Sequence, residues 1–153
     1  MNEDATRVLR RAKIARVATV SAKGLPNLTP LWYVFDAGRL YMNTRGASIA
    51  VKNLRANPDV VVLVQEARGQ IVRIRGTARF TRAGPTRLRA AFRAMLKYHL
   101  SPGGLANFAS SLGSLPARAR YYAERVGDSG VIVITPRTLE VLDGLESIGS
   151  TSS

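Results

Sequence analysis

A chain of 153 residues is the length of one domain and is long enough to bury a core without cross-links. With 46% apolar and 22% charged residues it is neither disordered nor fibrous. With no cysteine and one histidine it has no disulfide, no thiolate metal site, no cysteine nucleophile and no multi-histidine metal centre. Its 23 basic and 10 acidic residues leave a net charge of +13, which implies a polyanionic partner: nucleic acid, an anionic surface or a phosphorylated cofactor.

In chain order, Asp4 is placed to cap a helix that shows Val8, Leu9 and Ala12 on one face. Ala15 to Ser21 alternates and is rich in β-branched residues, and Ala22-Lys23-Gly24 is a turn. Asn27 to Phe35 reads as a second strand, and Asp36-Ala37-Gly38 turns it into a third, Arg39 to Thr44. Ser48 to Asn57 has helical spacing and stops before Pro58, because the residue preceding proline disfavours the α region. Val60 to Gln65 is a nearly continuous β-branched run, expected as a buried strand, and Gln70 to Phe80 is the next strand. Helices are expected from Thr86 to Tyr98 and from Pro116 to Glu124, with a glycine-rich loop or short helix from Ser101 to Gly113. Val131 to Thr135 and Leu139 to Leu142 are expected as two closing strands around Pro136. The sum is a mainly β fold with flanking helices. About seven antiparallel strands, joined by short turns, close into a barrel. One domain is expected over 1–146, with a small polar tail at 147–153. No apolar run approaches the roughly 18 residues of a membrane helix. Met1-Asn2-Glu3-Asp4 lacks the start of a signal peptide, so a soluble, cytoplasmic protein away from membranes is expected.

Three places carry candidate chemistry. Along Gln70 to Phe80, alternation puts Val72, Ile74, Ala78 and Phe80 on one face and Arg73, Arg75 and Arg79 on the other. Such a stripe is either a solvated outer face or an anion groove, since the guanidinium fork suits phosphate and carboxylate. Tyr41 to Ser48 reads as strand, turn and helix start, where Asn43, Thr44, Ser48 and free amides converge on a corner that suits phosphate. Lys52 lies one helical turn beyond Ser48. The aromatic pair Trp32-Tyr33 reads as core or dimer packing, and so does Tyr121-Tyr122. His99 has no acidic neighbour in sequence, and no catalytic residue is identified.

The order of these pieces resembles the pyridoxamine 5′-phosphate oxidase-like family. Ala18 to Asn27 resembles its opening hairpin, and Leu31 to Asp36 with Leu40 to Thr44 resembles its next hairpin. Lys52-Asn53-Leu54-Arg55-Ala56-Asn57-Pro58 is similar to its helix end, Gln70 to Gly76 to its following strand, and Val131 to Pro136 to its closing strand. The resemblance covers roughly Ala15 to Leu142. It implies a split β-barrel, and a homodimer that holds FMN or the deazaflavin F420 at the subunit interface. Thr29, Pro30, Leu31 and Trp32 would lie along the isoalloxazine, Asn43, Thr44 and Ser48 near the phosphate, and Gln70 would reach in from the partner chain. Relatives often carry a basic pair after the serine matched by Ser48, where this chain has Ile49 and Ala50. Lys52, Arg45 or Arg55 is the substitute anchor, and Arg73, Arg75 and Arg79 suit the oligoglutamate tail of F420, which makes F420 the first expectation and FMN the second. The function that follows is hydride transfer to a small organic substrate. The alternatives are a non-catalytic flavin, deazaflavin or haem binder and, last, a basic nucleic-acid-binding module, for which no known motif is present.

Overall fold

The structure, a computed structural model, describes residues 3–66, 69–82, 84–86, 89, 93, 97 and 127–142. The expected elements at 101–113 and 116–124, most of the helix expected at 86–98, His99, Tyr121-Tyr122 and the tail lie outside these residues.

Helix α1 (Glu3–Arg11) starts on two acids and ends on Arg10 and Arg11, which matches the sign of the helix dipole at each end. Asp4 sits inside its first turn, paired with Arg7 at 2.9 Å. Ala5, Val8, Leu9 and Ala12, spaced to share one face, are buried. Strands β1 (Ile14–Val20), β2 (Pro26–Trp32), β3 (Val34–Asp36) and β4 (Arg39–Arg45) follow. After them come helix α2 (Ile49–Ala56) and strands β5 (Asp59–Gln65), β6 (Ile71–Thr81) and β7 (Ser129–Leu142). Among the described residues every strand pairing is antiparallel, in one seven-stranded sheet of order β2-β1-β5-β6-β7-β4-β3. The sheet curls until β2 approaches β4, which is the split-barrel architecture expected from the sequence. Both helices pack against its inner face. There Val17, Leu40, Met42, Val62, Ile74 and Ile134 form the centre of the core. No helix among the described residues is long and apolar enough to cross a membrane.

The structure corrects three strand expectations. The strand expected over Asn27 to Phe35 breaks at Tyr33, where alternation fails. Trp32 is exposed, whereas Tyr33 and Val34 are both buried. Tyr33 Oη donates to Leu9 O at 2.7 Å, satisfying a carbonyl in the last turn of α1, and this fixes the bend. Tyr33→Phe leaves that carbonyl without its donor. A loss of about 1–2 kcal/mol is expected, read by urea unfolding, and an unchanged midpoint would show the bond to be idle. The second correction concerns β5, which is not buried on both faces. Val60, Val62 and Val64 are buried, while Val61 and Leu63 on the other face are only half covered. The third is that the two strands expected around Pro136 are one. β7 runs through the proline, and its register against β6 shifts at Arg75/Gly76. A bulge absorbs the missing donor.

Candidate cofactor site

The corner after β4 is built by local chemistry. Ser48 caps α2, with extended backbone angles (φ −65°, ψ 152°) and its Oγ accepting from Val51 N. Thr44 Oγ1 donates to the same Ser48 Oγ at 3.3 Å. Thr44 belongs to the inner face of β4 with Leu40 and Met42, whereas Asn43, one residue earlier, is exposed on the outer face. The corner therefore unites Thr44 and Ser48 but sends Asn43 to the opposite side. The first turn of α2 offers Ile49, exposed, and Ala50, buried, while Lys52 stands on its solvent side. Beneath the helix Asn53, buried, donates through Nδ2 to buried Thr19 Oγ1 at 3.0 Å. This pins α2 to β1.

An acid that the sequence did not single out completes the corner. Gly46 N donates to Asp128 O at 2.7 Å, and Ala47 N donates to Asp128 Oδ2 at 3.0 Å. Arg82 Nη2 donates to Asp128 Oδ1 at 2.7 Å. The Ala47 amide first, and then the Arg82 guanidinium, hold the Asp128 carboxyl below its ordinary value. A Cβ on Gly46 would meet the Arg82 guanidinium and Asp128 Oδ1, the latter at 2.6 Å, so the ion pair packs directly against this glycine. The amides of Gly46 and Ala47, just before the helix cap, are thus taken by the protein's own Asp128.

On β2, Thr29 and Leu31 are half-buried on the inner side, and Asn27 Oδ1 accepts from Thr29 Oγ1 at 2.8 Å. Pro30 and Trp32 are exposed on the outer side, and the ladder sets Trp32 opposite Ile14 and Pro30 opposite Arg16. The same face continues through Leu63 and Val61 to the arginines of β6. Arg73 faces Glu140 across the β6–β7 pair, donates to it through Nε at 3.1 Å, and bonds it through Nη2 as well. Arg75 and Arg79 are exposed, and they and Arg16 have no acidic partner among the described residues. The stripe lies on the outer face, as alternation requires, with one of its arginines already neutralised.

The expected site residues therefore fall into three groups on one chain. Thr44 and Ser48 meet at the α2 corner. Trp32, Pro30, Arg73 and Arg75 share the outer face. Gln70 precedes the first residue of β6, whereas the α2 corner adjoins its far end through Arg82 and Asp128. Eleven strand residues, about 35 Å, separate the two ends, so Gln70 and Ser48 do not meet within one chain.

Structures of known proteins share this fold. The chain is similar, at a TM-score of 0.71 and 18% identity, to a conserved hypothetical protein from Mycobacterium tuberculosis, with 100% of this chain and 91% of that one aligned. It is similar to an F420 reductase at a TM-score of 0.66 and 19% identity, covering 92% and 98% of the two chains. It is also similar to a FAD-binding protein from Mesorhizobium loti, at 0.63 and 19%, covering 94% and 96%. At such identities these likenesses speak for the fold alone. No curated protein matches the sequence. The decisive match is the family model described as pyridoxamine 5′-phosphate oxidase, which aligns with residues 1–143, from α1 to the end of β7. With the curled antiparallel sheet and the α2 corner in the order that the sequence motifs required, the chain belongs to the pyridoxamine 5′-phosphate oxidase family.

Proposed function

We propose that the protein is a homodimeric oxidoreductase that uses the reduced deazaflavin F420, with FMN as the second choice, to deliver a hydride to a small organic acceptor. The observation that carries the choice of cofactor is Asp128. A phosphate dianion at the α2 corner would face a carboxylate that already holds the Ala47 amide and the Arg82 guanidinium, and the one basic side chain in the first turn of the helix, Lys52, stands on its solvent side. FMN, anchored by its terminal phosphate, fits this corner poorly. The outer face fits a long polyanion better, because Arg16, Arg75 and Arg79 lack acidic partners among the described residues.

On this reading the bound deazaflavin supplies the hydride. β2 supplies a wall for the ring through Thr29 to Trp32, and the Asn27–Thr29 bond holds that strand's side chains in place. The arginines fix the tail, and Gln70 of the second copy closes the site. Dimerisation itself draws support from exposed Ile14, Leu28 and Trp32, which form an apolar patch along β1 and β2. A second reading, a flavin, deazaflavin or haem carrier without turnover, draws on the same Asp128 closure, which removes the usual phosphate anchor.

The test is a side-by-side titration with F420 and FMN, following the single tryptophan, Trp32. F420 is expected to bind in the micromolar range and FMN at least tenfold more weakly. Asp128→Asn keeps an acceptor for Ala47 and removes the charge, so it is expected to strengthen FMN several-fold. FMN binding as tightly as F420 in the wild type would overturn the assignment. The same variant has a signature in acid. Because Asp128's pKa is lowered in the folded state, its stabilising effect is present above the ordinary carboxylate range and lost as pH falls through the lowered value. The melting temperature of Asp128→Asn therefore changes less than that of the wild type between pH 5 and pH 3.

A further inference from the structure

A cavity of about 590 Å³ lies between α1, the β3–β4 turn and the helical residues Arg93 and Lys97. It is at the opposite end of β4 from the α2 corner, seven strand residues or about 20 Å away, and nothing in the proposed hydride transfer uses it. Arg10, Arg93 and Lys97 line it, with Val34 and Phe35 as its apolar wall and Asp36, Ala37 and Gly38 as its rim.

The charges in this cavity do not balance. Among its described lining residues Asp36 is the only acid, and that carboxylate is held by Arg89 at 2.6 Å and Arg93 at 3.4 Å. Arg10 is in no ion pair among the described residues. Lys97 Nζ donates to Ala12 O at 2.7 Å and Tyr33 O at 3.4 Å, and it stands 4.3 Å from the centroid of the Tyr33 ring. Burial, and then repulsion from Lys13, bring Lys97 down to about 8. Among the described residues, the charged groups that share the cavity lining with Lys97 are Arg10 from α1, Asp36 from β3 and helical Arg93, and Lys13 from the α1–β1 turn acts on its amine.

Guanidinium forks recognise carboxylates and phosphates in two-bond geometry, and a volume of this size suits a small organic molecule. We propose that this cavity is a binding site for a small organic anion. A carboxylate or phosphate head sits between Arg10, Arg93 and Lys97, and an apolar body lies against Val34 and Phe35. The protonated lysine binds the anion and the neutral amine does not. Affinity is therefore full below about pH 8 and falls as pH rises through that value.

Benzoate and phenyl phosphate serve as probes, titrated into the full chain by calorimetry. The tighter of the two identifies the head group. Saturable binding with a stoichiometry of one per chain is expected, weakened at least fivefold by Arg10→Gln and by Arg93→Gln. Lys23→Gln, in the distant β1–β2 turn, is expected to leave it unchanged. Benzoate affinity is expected to drop roughly tenfold from pH 7 to pH 9, a range in which the probe itself does not titrate. Arg10 is exposed, so Arg10→Gln folds normally and keeps the result interpretable even if the arginine of the helix proves structural. Binding that Lys23→Gln weakens as much as Arg10→Gln would mean diffuse attraction to a basic surface. That result, a flat pH profile, or no binding by either probe would overturn the site.

Discussion

Trp32→Lys is expected to turn a dimer into a monomer and to lower cofactor affinity at least tenfold, while the chain stays folded. Trp32 is 64% exposed in the single chain, so it contributes little to that chain's own core. It stands opposite Ile14 on an outer face that also shows Leu28. A tryptophan buries roughly 150–250 Å² when covered. With 64% of that area still open, at about 25 cal/mol per Å² this is roughly 2–4 kcal/mol for each side chain, and a two-fold interface counts it twice. Lysine forfeits this area and adds a positive charge to a face that already carries Arg16 and Arg75, so no compensating pair forms. Light scattering gives the mass relative to the 16.6 kDa chain, and circular dichroism checks the fold. In the proposed dimer Gln70 of the second copy closes the α2 corner, so the cofactor effect follows the loss of the dimer. A wild type that is monomeric at tens of micromolar, or a Trp32→Lys protein that stays dimeric, would remove this interface from consideration.

Gly76→Ala is expected to cost about 3 kcal/mol, the upper part of the range for forcing a methyl group into packed space. The reason is the bulge. Gly76 lies opposite Pro136, and a Cβ there would run into the Thr135 carbonyl oxygen and come within 3.1 Å of Pro136 Cα. Backbone, unlike a flexible side chain, cannot step aside without breaking the β6–β7 ladder. Gly24→Ala provides the contrast. Gly24 has φ +78° and open space around it, so its cost of about 1 kcal/mol comes from backbone conformation alone. Denaturant melts of the two variants should differ by about 2 kcal/mol. Equal losses would mean that β7 gives way at the bulge and that Gly76 holds nothing in place.

These two glycines also show what was legible in the sequence. Gly24 sits in a turn whose chemistry is local, and the turn was readable. The α2 helix was readable for the same reason: Ser48 caps it and Asn57-Pro58 ends it, within ten residues. Alternation alone divided β6 correctly into a buried face and an arginine face. The order of the motifs pointed to the family. What stayed hidden depends on distant partners. Pro136 reads as a strand break until Gly76, on the neighbouring strand, makes room for it. Tyr33 and Trp32 are adjacent aromatics, and only the bond to Leu9 decides which one turns inward. Asp128 lies 81 residues from Ala47, so no local pattern could announce that it takes the amides just before the helix cap. Glu140 likewise compensates Arg73 from 67 residues away.

The two prolines of β2 have a consequence for how copies of this chain can associate. β2 is a terminal strand of the sheet, and Pro26 and Pro30 stand opposite Val20 and Arg16 of β1. Ladder geometry sends the amides of alternate residues toward the open side, so at positions 26 and 30 that side has no donor to offer. A strand from another molecule laid along this edge would find its carbonyls unanswered at every second outward position. Edge-on templating, the route to fibrils and to strand exchange, is blocked by composition. The apolar residues of β2 remain displayed on its face. Self-recognition through this strand is thereby left to stacking sheet on sheet, the geometry that the proposed dimer requires.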